Sequence, residues 1–279
     1  MVKIVASEGA APKSGLYRIG DREFAIVKRF VHDAAGIFLT DAKKNLVTGR
    51  LAKRLQAHNL QSYGDYLKLI DADADERQIA LNLLTTNETY FFREPQHFDF
   101  MQRHILPQRA RGRPFRVWSA ACSTGEEPYS IAMLLDDALG QSNWEILATD
   151  ISTDVLTHAR RGCYSMQRAQ HMPPNYLRRY CLKGVGPEDG NLLVDKKLRG
   201  VVQFKNLNLN ATLPNVGLFD VIFLRNVMIY FQADTKRQLI AKLIQHLHKG
   251  GHLFIGRSES LNGVTEQLEQ ICPAVYRKP

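Results

Sequence analysis

Three carboxylates set around a turn of small residues are where chemistry is most legible in this chain. Glu126 and Glu127 follow directly on Ser119-Ala-Ala-Cys-Ser-Thr-Gly125, and Asp150 closes the later run Trp144-Glu-Ile-Leu-Ala-Thr-Asp150. A turn that cradles phosphate presents bare backbone N–H groups and keeps carboxylates away. Here two carboxylates crowd it, and the chain has neither a GxGxxG nor a Walker lysine. A ligand carrying positive charge, such as an amino group or a sulfonium, suits such a turn better than a pyrophosphate. An acid at the end of a second strand is placed to hydrogen-bond a ribose diol.

These acids need a particular frame. Residues 115–118 have the β-branched and aromatic character of a buried strand. Residues 119–125 are small, so the backbone can turn tightly and approach a ligand. Pro128 stands where a first helical turn tolerates it, and Ile131, Leu134 and Leu135 recur at helical spacing. Strand, tight turn and helix make the opening unit of a nucleotide-binding α/β sheet. Ribose without phosphate, together with a cation, points to S-adenosylmethionine. The competing reading gives the three acids only helix-capping or surface roles.

Composition sets the bounds. A chain of 279 residues, 44% hydrophobic and 23% charged, fits an ordinary soluble protein of one large domain or two modest ones. No apolar run approaches bilayer length and no signal-peptide core opens the chain, so membrane insertion is not expected. The four cysteines are scattered without a CxxC, and the nine histidines form no HExxH. No metal site is expected, and a reducing cytoplasm suits the thiols. The net charge of +9 implies an acidic partner, either nucleic acid or an acidic protein surface.

Residues 1–20 are small and polar without periodicity and read as a disordered tail. Residues 21–85 read as a module of four short helices. Phe24, Val27, Phe30 and Val31 share a face of the first, which Gly36 ends. Thr40 and Asp41 offer a cap for a second helix through Leu55, with Leu46, Val47, Leu51 and Leu55 facing inward. Its other face carries Lys43, Lys44, Arg50, Lys53 and Arg54. That surface fits an acidic partner and equally fits a solvated helix face. Helices near 63–70 and 75–84 complete the module. In residues 84–98 polar side chains alternate with aromatics; the stretch reads as a segment folded over a pocket with Asn87, Thr89 and Arg93 on one side, against the competing reading of plain inter-domain packing. Residues 98–108 read as one more helix.

After Asp150 a helix over 152–161 leads to an insertion, about 163–203, mixing Pro, Gly and charge. Two short strands around the 184–190 turn predict a hairpin there. The sheet resumes at 201–204, followed by Asn206-Leu-Asn-Leu209, whose amides suit an adenine edge. A strand over 219–224 runs into Arg225 and Asn226, the carboxyl edge where an open α/β sheet places its chemistry. A long helix (232–247), a strand (252–255), the loop Gly256-Arg-Ser-Glu259 and a last antiparallel edge strand (274–277) finish the chain.

Asn87-Glu-Thr-Tyr-Phe-Phe-Arg-Glu94, Trp118-Ser-Ala-Ala-Cys-Ser-Thr-Gly-Glu-Glu-Pro-Tyr-Ser130, Ala148-Thr-Asp150, Phe223-Leu-Arg-Asn-Val-Met-Ile-Tyr-Phe231 and Gly256-Arg-Ser-Glu259 closely resemble the motifs of the bacterial chemotaxis receptor methyltransferases, the CheR family. The resemblance runs in order from about Phe24 to the C-terminus. It implies an all-α receptor-recognition domain at 21–85. It also implies a Rossmann-like class I S-adenosylmethionine-dependent methyltransferase domain at 86–279, with a small antiparallel β insertion. The implied reaction is methyl esterification of specific glutamates on the cytoplasmic helices of chemoreceptors, leaving S-adenosylhomocysteine. Residues matching the family's cofactor contacts are Asn87, Thr89, Arg93, Ala121, Glu127, Asp150, Asn208, Leu209, Arg225 and Asn226, with Glu126 an alternative to Glu127. Arg93 and Tyr230 match the positions beside the transferred methyl and the incoming carboxylate. The basic second helix matches the receptor-facing surface. The Lys183-Gly-Val-Gly-Pro-Glu-Asp-Gly190 loop resembles members that dock a receptor's C-terminal tether peptide. The protein is expected to act as a monomer without nucleic acid.

A glutamate carboxylate, with an ordinary pKa of about 4.3, is already ionised at neutral pH and needs no general base. Catalysis then rests on alignment and desolvation, with Arg93 orienting the carboxylate through its planar fork. Two other readings compete: a nucleic-acid or small-molecule methyltransferase, and a silent receptor-binding adaptor that keeps the cofactor as a ligand.

Overall fold

The computed structural model describes residues 17–140 and 143–279. Its first part is a helical module of α1 (Asp21–Ala35), α2 (Lys44–Ala57), α3 (Tyr63–Ala72) and α4 (Ala74–Leu84). Local signals set most boundaries. Gly36, in the left-handed region at φ 72°, closes α1 by donating to the His32 carbonyl. Ser62 caps α3 by accepting from the Asp65 N–H, and Asp73 caps α4 by accepting from Asp75 and Glu76. Thr40 makes no such bond; a tight turn over Asp41–Lys43 comes first, and α2 starts later than expected. Val27, Val31, Val47, Leu51, Leu55, Tyr66 and Ile70 form the module's core. Phe30 is only half-buried and Leu46 is exposed, so the inward stripe is narrower than its periodicity suggests. Of the expected disordered stretch, residues 1–16 lie outside the described residues, while Ile19 is buried in this core.

The basic face of α2 is not one surface. Arg54 donates to both carboxylate oxygens of buried Glu76, at 2.8 and 2.5 Å, and Tyr66 and His58 reach the same carboxylate. Arg50 donates to the carbonyls of Leu84 and Thr85 at the end of α4. Lys44 pairs with exposed Asp21. Lys43 and Lys53 are exposed. Arg50 and Arg54 therefore hold helices together, a correction to the expectation that all five cations face outward.

Beyond the module, the single helix expected over 98–108 is broken. A short α5 (Pro95–Phe100) widens into a π-helical turn, Met101–Ile105, and ends in a tight turn, Leu106–Gln108. Pro107 lacks the N–H that a longer helix would need.

A seven-stranded sheet follows, built from β1 (Phe115–Ser119), β2 (Trp144–Asp150), β6 (Val202–Asn206), β7 (Phe219–Leu224), β8 (Leu247–Ile255), β9 (Glu269–Cys272) and β10 (Val275–Arg277). A smaller three-stranded sheet contains β3 (Cys163–Ser165), β4 (Cys181–Lys183) and β5 (Asn191–Val194). The large sheet runs β6-β2-β1-β7-β8-β10-β9, parallel except for β10, which is antiparallel to both its neighbours. The expected antiparallel edge strand is thus interior, and β9 takes the edge. Side chains alternate across the sheet. Val117, Ile146, Val221 and Phe223 belong to one core cluster with the buried residues of α6 (Glu126–Leu139). Trp118, Leu147, Ile222 and Leu224 belong to the cluster of the other face, with the buried residues of α10 (Ala233–Gln245).

Between β2 and β6 the chain makes α7 (Thr153–Arg161), the small sheet with α8 (Pro174–Tyr180), and α9 (Lys196–Val201). The predicted hairpin is β4 and β5, paired through Leu182↔Leu193. Its unforeseen third strand, β3, lies on the far side of β5. Strand order reverses at β1, whose neighbours are β2 and β7. Such a switch point opens a crevice at the carboxyl ends of the strands. Among the described residues, no helix is long and apolar enough to cross a membrane.

Candidate active site

The turn after β1 is held open by its neighbours. Ala120 N–H donates to the Phe223 carbonyl and Cys122 N–H to that of Thr149, so the turn hangs between β7 and β2. Gly125, at φ 97°, starts α6 where a Cβ would stand 2.7 Å from the Ala159 Cβ. Only glycine fits there. Ser123 N–H donates to Asp150 Oδ2 at 2.8 Å, and Ser152 N–H to Oδ1 at 2.9 Å. Burial raises the Asp150 pKa, and these N–H bonds oppose the rise.

The adjacent glutamates divide. Glu127 faces the cleft, accepting from Ser119 Oγ at 2.6 Å and from Arg225 Nη1 at 3.0 Å. Glu126 points away, fully buried, and accepts from Thr124 Oγ1 at 2.7 Å and Arg168 Nη1 at 2.8 Å. Burial raises its pKa against those contacts. Glu127 rather than Glu126 is therefore the cleft-facing acid.

Arg225, at the exit of β7, is buried between two carboxylates. Its second Nη lies 3.3 Å from Glu94 Oε2 and also donates to the Arg93 carbonyl. The Arg93 guanidinium differs: among the described residues it donates only to the Glu88 carbonyl, at 2.7 Å. It has no carboxylate partner among the described residues. The phenol of Tyr230 is held protonated: burial raises its pKa, and the nearby Arg93 charge only partly offsets this.

Glu259 braces the loop between Arg225 and Tyr230. Its Oε2 accepts from Gly256 N–H at 2.7 Å and Asn226 N–H at 2.9 Å, and its Oε1 accepts from Ile229 N–H at 3.2 Å. Asn226 sits in the left-handed region at φ 57°. A Cβ on Gly256 would overlap the Asn226 amide, which explains the glycine at that position.

One cleft of about 440 Å³ gathers these groups. It is lined by Asn87, Thr89, Arg93, Ala121, Glu127, Asp150, Asn208, Leu209, Arg225, Asn226 and Tyr230, all of them positions singled out in the sequence. Asn206 is not among them; its amide is spent on the Asp150 and Ile151 carbonyls. The Asn208 amide donates to the Ala34 carbonyl, tying the cleft to the end of α1. Lys43 lies at the mouth, whereas Lys44, Arg50, Lys53 and Arg54 do not line the cleft.

Sequence reasoning missed three contributors. The stretch Ile37–Thr40, after α1, forms one wall: Ile37 bridges Phe231, and Phe38 N–H donates to the Tyr230 carbonyl at 2.8 Å. Its signal was an apolar run where a polar connection would be ordinary. Arg168, from the insertion, donates to the Thr89 carbonyl at 2.7 Å and accepts, through its own carbonyl, from Phe91 N–H. Glu94, which anchors Arg225, closes the Asn87–Glu94 motif, but nothing in that motif assigned it a partner.

The sheet order, with its reversal at β1 and its inserted antiparallel β10, and the acid-lined crevice define a class: a Rossmann-like S-adenosylmethionine-dependent methyltransferase. Comparison with known proteins narrows it. Residues 22–85 match the family model for the CheR methyltransferase all-alpha domain, and residues 87–276 match that for the CheR methyltransferase SAM binding domain. The chain is 42% identical to a chemotaxis protein methyltransferase of Escherichia coli over 92% of its length and 91% of the relative's. It is 40% identical to one of Salmonella typhimurium, over 92% and 90%. It is also 40% identical to chemotaxis protein methyltransferase 2 of Pseudomonas aeruginosa, over 91% and 92%. The chain belongs to the CheR methyltransferase family and is an S-adenosylmethionine-dependent chemotaxis methyltransferase. The donor set fits that cofactor: two cleft-facing carboxylates, a small-residue turn, and no arrangement for a pyrophosphate.

Proposed function

We propose that the chain esterifies glutamate side chains on the cytoplasmic helices of chemoreceptors. Arg93 carries this reading: it is a cleft cation with no carboxylate partner among the described residues, while its neighbour Arg225 is held by two. A guanidinium without a carboxylate partner beside a methyl-transfer cleft suits an anionic acceptor. When bound, S-adenosylmethionine supplies a sulfonium methyl that a carboxylate oxygen can take, with the sulfur keeping the bonding electron pair. Asp150 would hold the ribose and Glu127 the cationic end, with Asn87, Thr89, Ala121, Asn208, Leu209 and Asn226 completing the walls.

The acceptor is already ionised, so the chain has no proton to remove. Among the described residues no histidine lines the cleft, and Cys122, which does, is buried with its thiol pKa pushed well up. Arg93 orients the carboxylate, and protonated Tyr230 donates a hydrogen bond to it or lines the methyl channel. Glu259 and Glu94 position Tyr230 and Arg225 without touching the acceptor.

Two surfaces fit a receptor partner. Lys43 and Lys53 suit an acidic helix. β4 is the edge of the small sheet, with Leu182 and Val185 exposed beside it. An open strand edge with apolar side chains suits an extended peptide such as a receptor tether. The experiment is peptide mapping by mass spectrometry of a chemoreceptor cytoplasmic fragment after incubation with enzyme and cofactor. The reading expects one added methyl on particular glutamates; methyl groups only on lysine, arginine or N-terminal nitrogen would overturn it.

A further inference from the structure

Three large apolar side chains surround the cleft mouth without being covered. Phe38 is 50% exposed, Ile229 53% and Leu46 39%, and all three line the cleft. They come from three separate segments: the stretch after α1, the loop after β7, and α2. Single exposed apolar residues are ordinary, but several converging around one opening mark a binding surface.

The two most exposed are also held in place. Phe38 N–H donates to the Tyr230 carbonyl at 2.8 Å, beside the Ile37↔Phe231 bridge. Ile229 N–H donates to Glu259 at 3.2 Å. Their backbones are fixed while their side chains face outward, a preorganised arrangement that lowers the ordering cost of binding. Two cations share the opening, Lys43 and Arg93, and neither has a carboxylate partner among the described residues.

We infer that Phe38, Ile229 and Leu46 form an apolar rim that seats the acceptor helix itself, and that this rim sets affinity for the acceptor rather than for the cofactor. The inference rests on the reading of the protein as a glutamate methyltransferase. The occupant is an amphipathic acidic helix. Its apolar stripe lies on Phe38 and Ile229, its flanking carboxylates meet Lys43, and the reacting glutamate reaches Arg93. Side chains three and four apart share a helix face, so the stripe and the reacting glutamate are carried on one side of the helix.

The test uses the full chain, a chemoreceptor cytoplasmic fragment without its C-terminal tether, and labelled S-adenosylmethionine. The variants are Phe38→Ser, Ile229→Ser and the double variant, with Phe38→Leu as the conservative change. Ile271→Ser, an exposed apolar position on β9 away from the cleft, is the control. Each single serine variant is expected to raise KM for the fragment about tenfold, or about 1.4 kcal/mol. Phe38→Leu should restore part of the loss. Cofactor Kd by calorimetry and the melting temperature should stay near the parent values, and the control should change neither constant. Unchanged KM in the double variant would overturn the inference. So would a cofactor Kd weakened in parallel with KM, because the rim would then belong to the cofactor. Failure of the unaltered enzyme to methylate the fragment both with and without its tether would instead strike the glutamate reading, and the rim's assigned occupant with it.

Discussion

Arg93 and Arg225 stand on the same cleft but have opposite electrostatic situations. Arg225 is enclosed by Glu127 and Glu94, so its charge is used inside the protein. Arg93 is tied only to a backbone carbonyl. Arg93→Ala should therefore reduce kcat/KM for the acceptor by about a hundredfold, the scale expected when a positioning contact is lost, and weaken cofactor binding less. Steady-state kinetics with calorimetry on the same protein separates these effects; near-parental turnover would remove Arg93 from the reaction. Glu259 acts at one remove. Glu259→Ala strips acceptors from three N–H groups, with an expected stability loss of about 1–3 kcal/mol. Lower kcat should accompany it, because the Asn226–Tyr230 loop loses its anchor. Glu259→Gln, which keeps one accepting oxygen, should recover part of both; a kcat unaffected by either change would limit Glu259 to structure alone. The acids were legible as a pair before Asp150, and only the family resemblance favoured Glu127 over Glu126 as the cleft-facing one. That choice is made by Arg168, far along the chain in the insertion, and no local pattern announces such a partner.

Among the elements, α2 teaches the clearest lesson about charge read from a sequence. Its cations fall at helical spacing, but Arg54 is claimed by buried Glu76 and Arg50 by the carbonyls ending α4. Desolvation, the largest influence on Glu76, pushes its pKa up. Hydrogen bonds from Arg54, Tyr66 and His58 outweigh it and hold the group at about 2 against an ordinary 4.5. A depressed carboxylate pKa contributes stability that is present above about 4.5 and lost as pH falls toward about 2. Arg54→Ala leaves a buried charge with weaker partners and should cost about 3 kcal/mol at neutral pH. Its stability should also depend less on pH between about 4.5 and 2, since without Arg54 the Glu76 pKa is less depressed. Denaturant melts across pH check both, and an unchanged pH dependence over that range would contradict this account of the cluster. Lys53→Ala, on an exposed position, should leave stability almost unchanged. The strands β1, β2 and β7 were legible because buried parallel strands are continuous apolar runs. β9 was not: Glu269-Gln-Ile-Cys272 has little apolar signal and is a strand because β10 pairs with it. The three-residue β3 similarly exists through its pairing with β5.

At the scale of the whole molecule, the helical module and the sheet share the cleft. Ile37–Thr40 supplies a wall, and Asn208 reaches back to the Ala34 carbonyl. The sequence suggested two successive units with the chemistry in the second; the shared cleft depends on long-range contacts such as Ile37↔Phe231, which no local pattern encodes. The net charge of +9 acts here as well. Association with an acidic receptor surface should slow as ionic strength rises, because exposed charges more than about 10 Å apart are largely screened at 0.1 M salt. Accordingly, KM for a receptor fragment should rise with salt while cofactor Kd stays nearly constant; equal salt dependence of both would place the electrostatic effect in the cleft instead.

The central claim is that the methyl group ends on a carboxylate oxygen. Its most direct test is transfer of a labelled methyl from S-adenosylmethionine to a chemoreceptor cytoplasmic fragment, followed by mild alkali. A glutamyl methyl ester predicts label released as methanol. Label that survives alkali on the fragment would mean attachment to nitrogen, carbon or sulfur, and would contradict the role given to Arg93 and the acceptor it was assigned.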